Sequence, residues 1–165
     1  MISIRTAEVS DAAALRAIYE PYVVKTAITF DFDVPSEADF AQKIASVQER
    51  HPFLVAESEG KVIGYAYAST YYDKSAYDWT AELTIYMDEN KRGLRLGSVL
   101  YDMLEEELIK RNFKNFVACI SLPNDASIAF HEKRGYEQVA HFKKVGYKFD
   151  KWHDIVWLQK SLVEE

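Results

Sequence analysis

Residues Glu82 to Ser98, ELTIYMDENKRGLRLGS, decide how the chain is read. They begin as an alternating strand, pass through a polar turn rich in Lys, Arg and Gly, and open a helix with apolar periodicity. A strand that ends in such a turn presents free backbone N–H groups at the positive end of the helix that follows. That is a place to hold a phosphate. In the strand, Thr80, Glu82, Thr84 and Tyr86 share one face and Ala81, Leu83, Ile85 and Met87 the other. The helix is expected from Gly97 to Arg111, with Val99, Leu100, Met103, Leu104 and Leu108 as its buried stripe.

The rest of the chain supplies a core for this unit. With 165 residues, 48% hydrophobic and 28% charged, one α/β domain over residues 1–165 is expected. The net charge of -6 argues against a nucleic-acid partner, which calls for a basic face. Cys119 is the single cysteine, so an internal disulfide is impossible and a reducing, cytoplasmic compartment is expected. The start MISIR has no long apolar run, so neither a signal peptide nor a membrane anchor is expected. No stretch approaches the ~20 apolar residues of a membrane helix.

In order, Ile2 to Ala7 reads as a strand, and Ser10 or Asp11 as the cap of a helix carrying Leu15, Ile18, Tyr19 and Tyr22. Pro21 is expected to bend or stop that helix. An aromatic loop, Thr26 to Asp33, precedes a second helix with Ser36 and Asp39 as a capping box and Phe40, Ile44 and Val47 as its apolar stripe. Phe53 to Glu57 and Val62 to Ser69 form a hairpin through Ser58-Glu59-Gly60-Lys61, with Gly64 marking a bulge. Phe116 to Ser121 is an apolar strand, and the Glu105 to Glu107 run a solvated helix face. Asn124 caps a short helix that ends at Gly135, and Tyr136 to His141 and Ile155 to Leu162 are the last strands. The order is β-α-α-β-β-β-α-β-α-β-β.

Two motifs carry a resemblance. Arg92-Gly93-Leu94-Arg95-Leu96-Gly97 resembles the Q/R-x-x-G-x-G/A signature of the GNAT acyltransferase superfamily, with Arg95 in place of the first Gly. Asn124 to Tyr136, NDASIAFHEKRGY, resembles the N-x-x-S-x-x-x-(H/Y)-x-x-x-G-(F/Y) block of the same superfamily. The segments Ala76 to Glu82, Ile120 to Asp125 and Val145 to Asp154 narrow the resemblance to phosphinothricin N-acetyltransferases, a group that also acetylates methionine sulfoximine and methionine sulfone. The resemblance implies a mixed central sheet, flanked by helices and splayed where acetyl-CoA binds. It implies acetyl-CoA as co-substrate, no metal, a small amino acid as acceptor, a role in detoxification and herbicide resistance, and a homodimer.

The resemblance also assigns residues. The loop Arg92, Gly93, Leu94, Arg95, Leu96, Gly97 and Ser98 would hold the CoA pyrophosphate. Arg95 can offer its N–H there if its φ is negative. Asn124 would contact pantetheine, with Lys133 a further CoA contact. Backbone N–H groups of Ile85, Tyr86 and Met87 would serve pantetheine and the oxyanion. The implied chemistry is attack of an α-amine on the thioester, which first requires loss of a proton from the ammonium. Glu82 is the candidate base, since Glu is uncommon in a central strand; a strand-edge Glu paired at the surface is the alternative. His131 is a second candidate, against a His that merely packs. The acid that protonates the leaving thiolate is not evident; Tyr101 is the candidate, against ordinary packing. The acceptor's acidic groups need cationic or N–H partners, for which Lys74 is put forward with Tyr72, Asp73, Leu83 and Thr84 beside it. Cys119 reads as a buried strand residue without a nucleophilic role. His153 is a candidate for the acceptor pocket or a dimer contact. Acetylation of a protein N-terminus or polyamine, and a non-catalytic acyl-CoA sensor, remain as alternatives; Arg95 and the missing thiolate acid keep the last one open.

Overall fold

Strand β4, Thr80–Met87, is the alternating stretch expected from the sequence, and it sits fourth in a seven-stranded mixed sheet. The computed structural model describes residues 1–91 and 95–164. The other strands are β1 (Ile2–Thr6), β2 (Phe53–Ser58), β3 (Lys61–Thr70), β5 (Asn115–Ser121), β6 (Glu137–Lys148) and β7 (Lys151–Ser161), hydrogen-bonded in the order β1-β2-β3-β4-β5-β7-β6. The helices are α1 (Ala12–Lys25), α2 (Glu37–Val47), α3 (Leu96–Lys110) and α4 (Asp125–Lys133). Among the described residues no helix is long and apolar enough to cross a membrane. The chain forms two units, and Glu82 is the last residue of β4 in the second.

The first unit comprises Met1–Pro21, Val34–Ser69 and Leu83–Asn112. The β2–β3 turn has Glu59 and Gly60 left-handed, at φ 53° and 77°, as a two-residue hairpin turn requires. The bulge expected at Gly64 is there: Ala56 pairs Gly64 while Glu57 pairs Val62, so Ile63 is the extra residue. A Cβ on Gly64 would lie 2.5 Å from the Met87 sulfur, so any side chain there would require Met87 to move. The rings of Phe53, Tyr65 and Tyr67 stack beside it, Phe53 and Tyr67 at 4.8 Å between centroids.

Several expectations need correction. Neither Ser10 nor Asp11 caps α1; Val9–Asp11 is a 3-10 turn that leads into it. Asp11 instead accepts the Glu8 N–H and a two-pronged ion pair from Arg5. Pro21 does not stop α1, which runs on to Lys25; the carbonyl it deprives of a partner belongs to exposed Ala17. The Ser36–Asp39 capping box is reciprocal, as expected. In α3 the buried residues are Leu96, Leu100, Tyr101, Leu104, Glu105 and Leu108, whereas Val99 and Met103 are exposed. The stripe follows an i, i+4 spacing set by Leu96, so Glu105 turns inward and Val99 outward.

The second unit comprises Tyr22–Asp33, Thr70–Glu82 and Phe113–Glu165, with Glu165 outside the described residues. Thr80, Ala81 and Glu82 pair in parallel with Asn115, Phe116 and Val117. Strand β5 then runs antiparallel to β7 as far as Ser121↔Ile155. One sheet face carries Phe116, Ala118, Ile120, Val156 and Leu158, all buried. Asn124 caps α4 by accepting the Ser127 N–H at 3.2 Å, and Gly135, at φ 93°, ends it.

The β6–β7 hairpin is longer than expected, because Phe142 to Asp154 also belongs to it. Its turn residues, Phe149 and Asp150, are both left-handed at φ 54° and 57°, where sequence signals lead one to look for Asn-Gly. A bulge near Lys144, at φ 51°, is fixed by Asp154. That carboxylate accepts the Lys144 N–H at 2.8 Å and lies 2.8 Å from His141 Nε2.

Candidate active site

In the second unit the strand registers put Glu82, Val117, Cys119 and Ser121 on one face, with Ile155, Trp157 and Gln159 beside them. This face is open. Cys119 is exposed although its strand is hydrogen-bonded in mid-sheet, and Glu82 and Trp157 are half-buried. The expectation of a buried Cys119 is therefore wrong: its position in mid-sheet does not cover it. Partial enclosure of the thiol pushes its pKa up to about 11, and the negative charge of Glu82 adds to the shift. Cys119 stays a thiol at neutral pH, so it is a poor acyl acceptor.

Aromatic rings border the open face. Tyr71 meets Trp157 edge-on at 5.6 Å and Tyr77 at 5.5 Å, and Tyr72 meets Tyr77 at 5.7 Å. The loop bearing Tyr72, Asp73 and Lys74 closes into a 3-10 turn at Ser75–Tyr77, with the Lys74 carbonyl accepting the Tyr77 N–H at 2.9 Å. Tyr72, Asp73 and Lys74 are all exposed. A second border comes from Thr26 to Asp33. The Ser121 hydroxyl donates to the Ala27 carbonyl at 2.6 Å, with the Ile28 carbonyl 3.2 Å away.

His131 is buried in α4. Its Nδ1 lies 2.8 Å from the Ser127 carbonyl and so carries the hydrogen, which leaves Nε2 as the nitrogen whose protonation can change. Its ring packs edge-on against Phe130 and Tyr136. Lys133, in the last turn of α4, is exposed. His153, a candidate for the pocket or a dimer contact, is occupied within the fold: its Nε2 donates to the Lys148 carbonyl at 3.0 Å and its ring lies 6.1 Å from Phe30.

The first unit holds the other candidates. Arg92, Gly93 and Leu94 lie outside the described residues. The chain leaves β4 through a turn in which the Asp88 carboxylate accepts the Asn90 N–H at 2.9 Å. Arg95 then stands at the N-cap of α3 with φ 58°, left-handed, and makes no side-chain cap bond. The condition set for its N–H, a negative φ, is not met; the position has the left-handed geometry that Gly adopts most readily. The first turn at Leu96, Gly97 and Ser98 has the positive end of the helix, which suits an anionic group. Ile85, Tyr86 and Met87 are half-buried, and the Tyr86 ring packs on Tyr19 at 5.0 Å. Thr84 is half-buried, whereas Leu83 is only 4% exposed and offers no side chain to a substrate. Tyr101, the candidate acid, is fully buried in the packed face of α3. Among the described residues no group of three His, Cys, Asp or Glu is placed to hold a metal ion.

The model of the acetyltransferase (GNAT) domain matches residues 4–157. The chain belongs to the GNAT acetyltransferase family. It is 37% identical over 160 residues to a phosphinothricin N-acetyltransferase of Streptomyces viridochromogenes, covering 97% of this chain and 87% of that protein. It is 32% identical to an L-methionine sulfoximine/L-methionine sulfone acetyltransferase of Salmonella typhimurium, covering 99% and 96%. The crystal structure of a GNAT phosphinothricin acetyltransferase from Sinorhizobium meliloti in complex with acetyl-CoA matches with a TM-score of 0.93 and 31% identity, covering 98% of this chain and 88% of that one. The mixed sheet flanked by helices is thus the GNAT fold, and the protein is an acetyl-CoA-dependent N-acetyltransferase. Sequence reasoning missed two features of the Glu82 face: the exposure of Cys119, and the anchoring of Thr26 to Asp33. Both depend on what does or does not cover a sheet face, which no local pattern records.

Proposed function

We propose that this GNAT enzyme acetylates the α-amine of a compact amino acid analogue, of the phosphinothricin, methionine sulfoximine or methionine sulfone type. The observation that carries the reading is Glu82: a half-buried carboxylate on an open sheet face, beside Cys119 and bordered by Tyr71 and Trp157. The names of the relatives at 37% and 32% identity support the acceptor class.

In this reading acetyl-CoA supplies an activated acetyl thioester. Glu82 takes the proton from the acceptor ammonium, directly or through water, and transfer is direct, since Cys119 is held as a thiol. Backbone N–H groups of Ile85 to Met87 face the developing oxyanion, a contribution worth about 3 kcal/mol for each such donor. Leu96 to Ser98 bind pyrophosphate, and Asn124 and Lys133 bind other parts of CoA. Lys74, exposed on its loop, meets an acidic group of the acceptor, with Tyr72, Asp73 and Thr84 as further contacts. The His131 ring is held by the Ser127 carbonyl one turn back on the same helix, and its Nε2 is the candidate for a proton relay. The family match runs through both units, and we read them as one catalytic domain acting as a homodimer. Exposed Val139, Phe142, Val145 and Trp152 on β6 and β7 support self-association.

The test follows free-thiol release from acetyl-CoA with phosphinothricin, methionine sulfoximine, methionine sulfone, a polyamine and a peptide N-terminus. Turnover is expected with the first three. Turnover with the peptide or polyamine alone replaces the acceptor class. Glu82→Gln is expected to lower kcat at least 100-fold, in the usual range for a general base, with acetyl-CoA binding intact. An unchanged kcat removes Glu82 from the mechanism.

A further inference from the structure

Lys148 has no part in the chemistry above, yet it is among the most enclosed charged residues described, at 3% exposure. Its ammonium donates to the Thr29 carbonyl at 2.9 Å and lies 5.2 Å from the centroid of the Phe149 ring. Burial pulls its pKa below the usual lysine range, with the negative charge of Asp31 opposing. An apolar side chain of the same length would fill the space without the penalty of withdrawing a charge from water. What the ammonium adds is a directed bond to one carbonyl, in the middle of the Thr26 to Asp33 segment.

The neighbouring residues grip the same segment. Gly146 leaves room for Phe30, since a Cβ there would overlap the Phe30 ring. His153 flanks that ring and fixes the Lys148 carbonyl, so the lysine backbone is held as well as its head. At the other end of the segment, Ser121 holds Ala27. Inside it, the Thr26 hydroxyl donates to the Tyr22 carbonyl at 2.6 Å and accepts the Ile28 N–H at 3.1 Å. The segment is thus pinned at two places by two different parts of the sheet.

Ser121 shares the open face with Glu82 and Cys119. It lies four residues along β5 from Val117, the partner of Glu82, or roughly 13 Å at strand spacing. The pinned segment therefore bounds the open face at the carboxyl end of β5, opposite the carboxylate. We infer that Lys148 is a positioning residue: by holding Thr29 it keeps Thr26 to Asp33 as the far wall of the acceptor pocket, and so sets how tightly the acceptor's side chain is held. This rests on the acceptor reading of the Glu82 face proposed above.

The test uses Lys148→Met, which keeps length and removes the charge, and Lys148→Arg, which keeps a donor. Amide hydrogen exchange over Ala27 to Phe32 is expected to quicken about tenfold in Lys148→Met, the scale of one charge-assisted hydrogen bond. Lys148→Arg is expected to restore most of the protection. With the best acceptor of the panel, Lys148→Met should raise the acceptor KM about fivefold or more, while the acetyl-CoA KM stays within twofold. Gly146→Ala displaces Phe30 without touching the lysine and should raise the same KM. Unchanged exchange in Lys148→Met overturns the clamp, as does an equal rise in both KM values. The exchange readout needs no acceptor. A wild-type enzyme inert towards every amine therefore sinks the proposed function, and the clamp is then decided by exchange alone.

Discussion

His51 makes the stability of this enzyme depend on pH in a calculable way. It lies just beyond α2, buried to 4% exposure, with its N–H bonded to the Val47 carbonyl at 2.8 Å. Burial, and then the positive charges of Arg50 and Arg111, lower its pKa from 6.5 to about 4. Between those values the unfolded chain binds a proton that the folded one refuses. The stabilisation is therefore present in full above the unfolded value and is lost as the pH falls towards the folded one. Linkage with these two pKa values gives a loss of about 2 kcal/mol between pH 7 and pH 5, and about 3 kcal/mol once the pH is below both. Urea unfolding at the two pH values measures it. With a slope of about 2 kcal/mol per molar urea, the wild-type midpoint should fall by about 1 M from this residue alone. His51→Gln removes the titration and should lose about 1 M less over the same interval, whatever its stability at pH 7. Parallel pH dependence in the two proteins would refute the assignment.

Arg95→Gly relieves a left-handed residue, which costs roughly 1–2 kcal/mol, but adds about 0.5–1 kcal/mol of unfolded-state freedom. A net gain of about 0.5–1 kcal/mol should raise Tm by about 2 °C; a lower Tm in calorimetry would mean that the arginine side chain stabilises the turn by more than its backbone strain. Cys119 should react with iodoacetamide at neutral pH about 300 times more slowly than a free thiol, because a pKa of about 11 against 8.5 leaves that much less thiolate. Glu82→Gln should speed the labelling, and a free-thiol rate in the wild type would contradict the shift.

What the sequence discloses here is what local physics decides. The Ser36–Asp39 box, the Asn124 cap, the Gly135 stop and the Glu59-Gly60 turn each rest on a few neighbouring residues, and all four are in place. The β6–β7 turn escaped because Phe149 and Asp150 adopt left-handed angles that their side chains do not advertise; the hairpin overrides local preference. The phase of α3 escaped for a related reason. Val99 and Leu100 are equally apolar, and only packing decides which one points inward. The candidate site divides in the same way. Glu82 stands out in the sequence because a carboxylate in a central strand breaks a pattern, and the structure has it half-buried on β4. The burial of Leu83 and the exposure of Cys119 were not legible because burial is a property of what lies across the sheet, not of the strand itself.

The edge-on contact of Tyr71 with Trp157 gives the enzyme an optical handle. The chain has three tryptophans, and Trp79 and Trp152 are each about half exposed, at 50% and 55%. Trp157 is the more enclosed of the three and stands across the strand pair from Cys119. Its emission should lie to the blue of the other two and be sensitive to any molecule that replaces water on that face. An acceptor titrated into the enzyme can then be followed by fluorescence alone, before any acetyl group has moved.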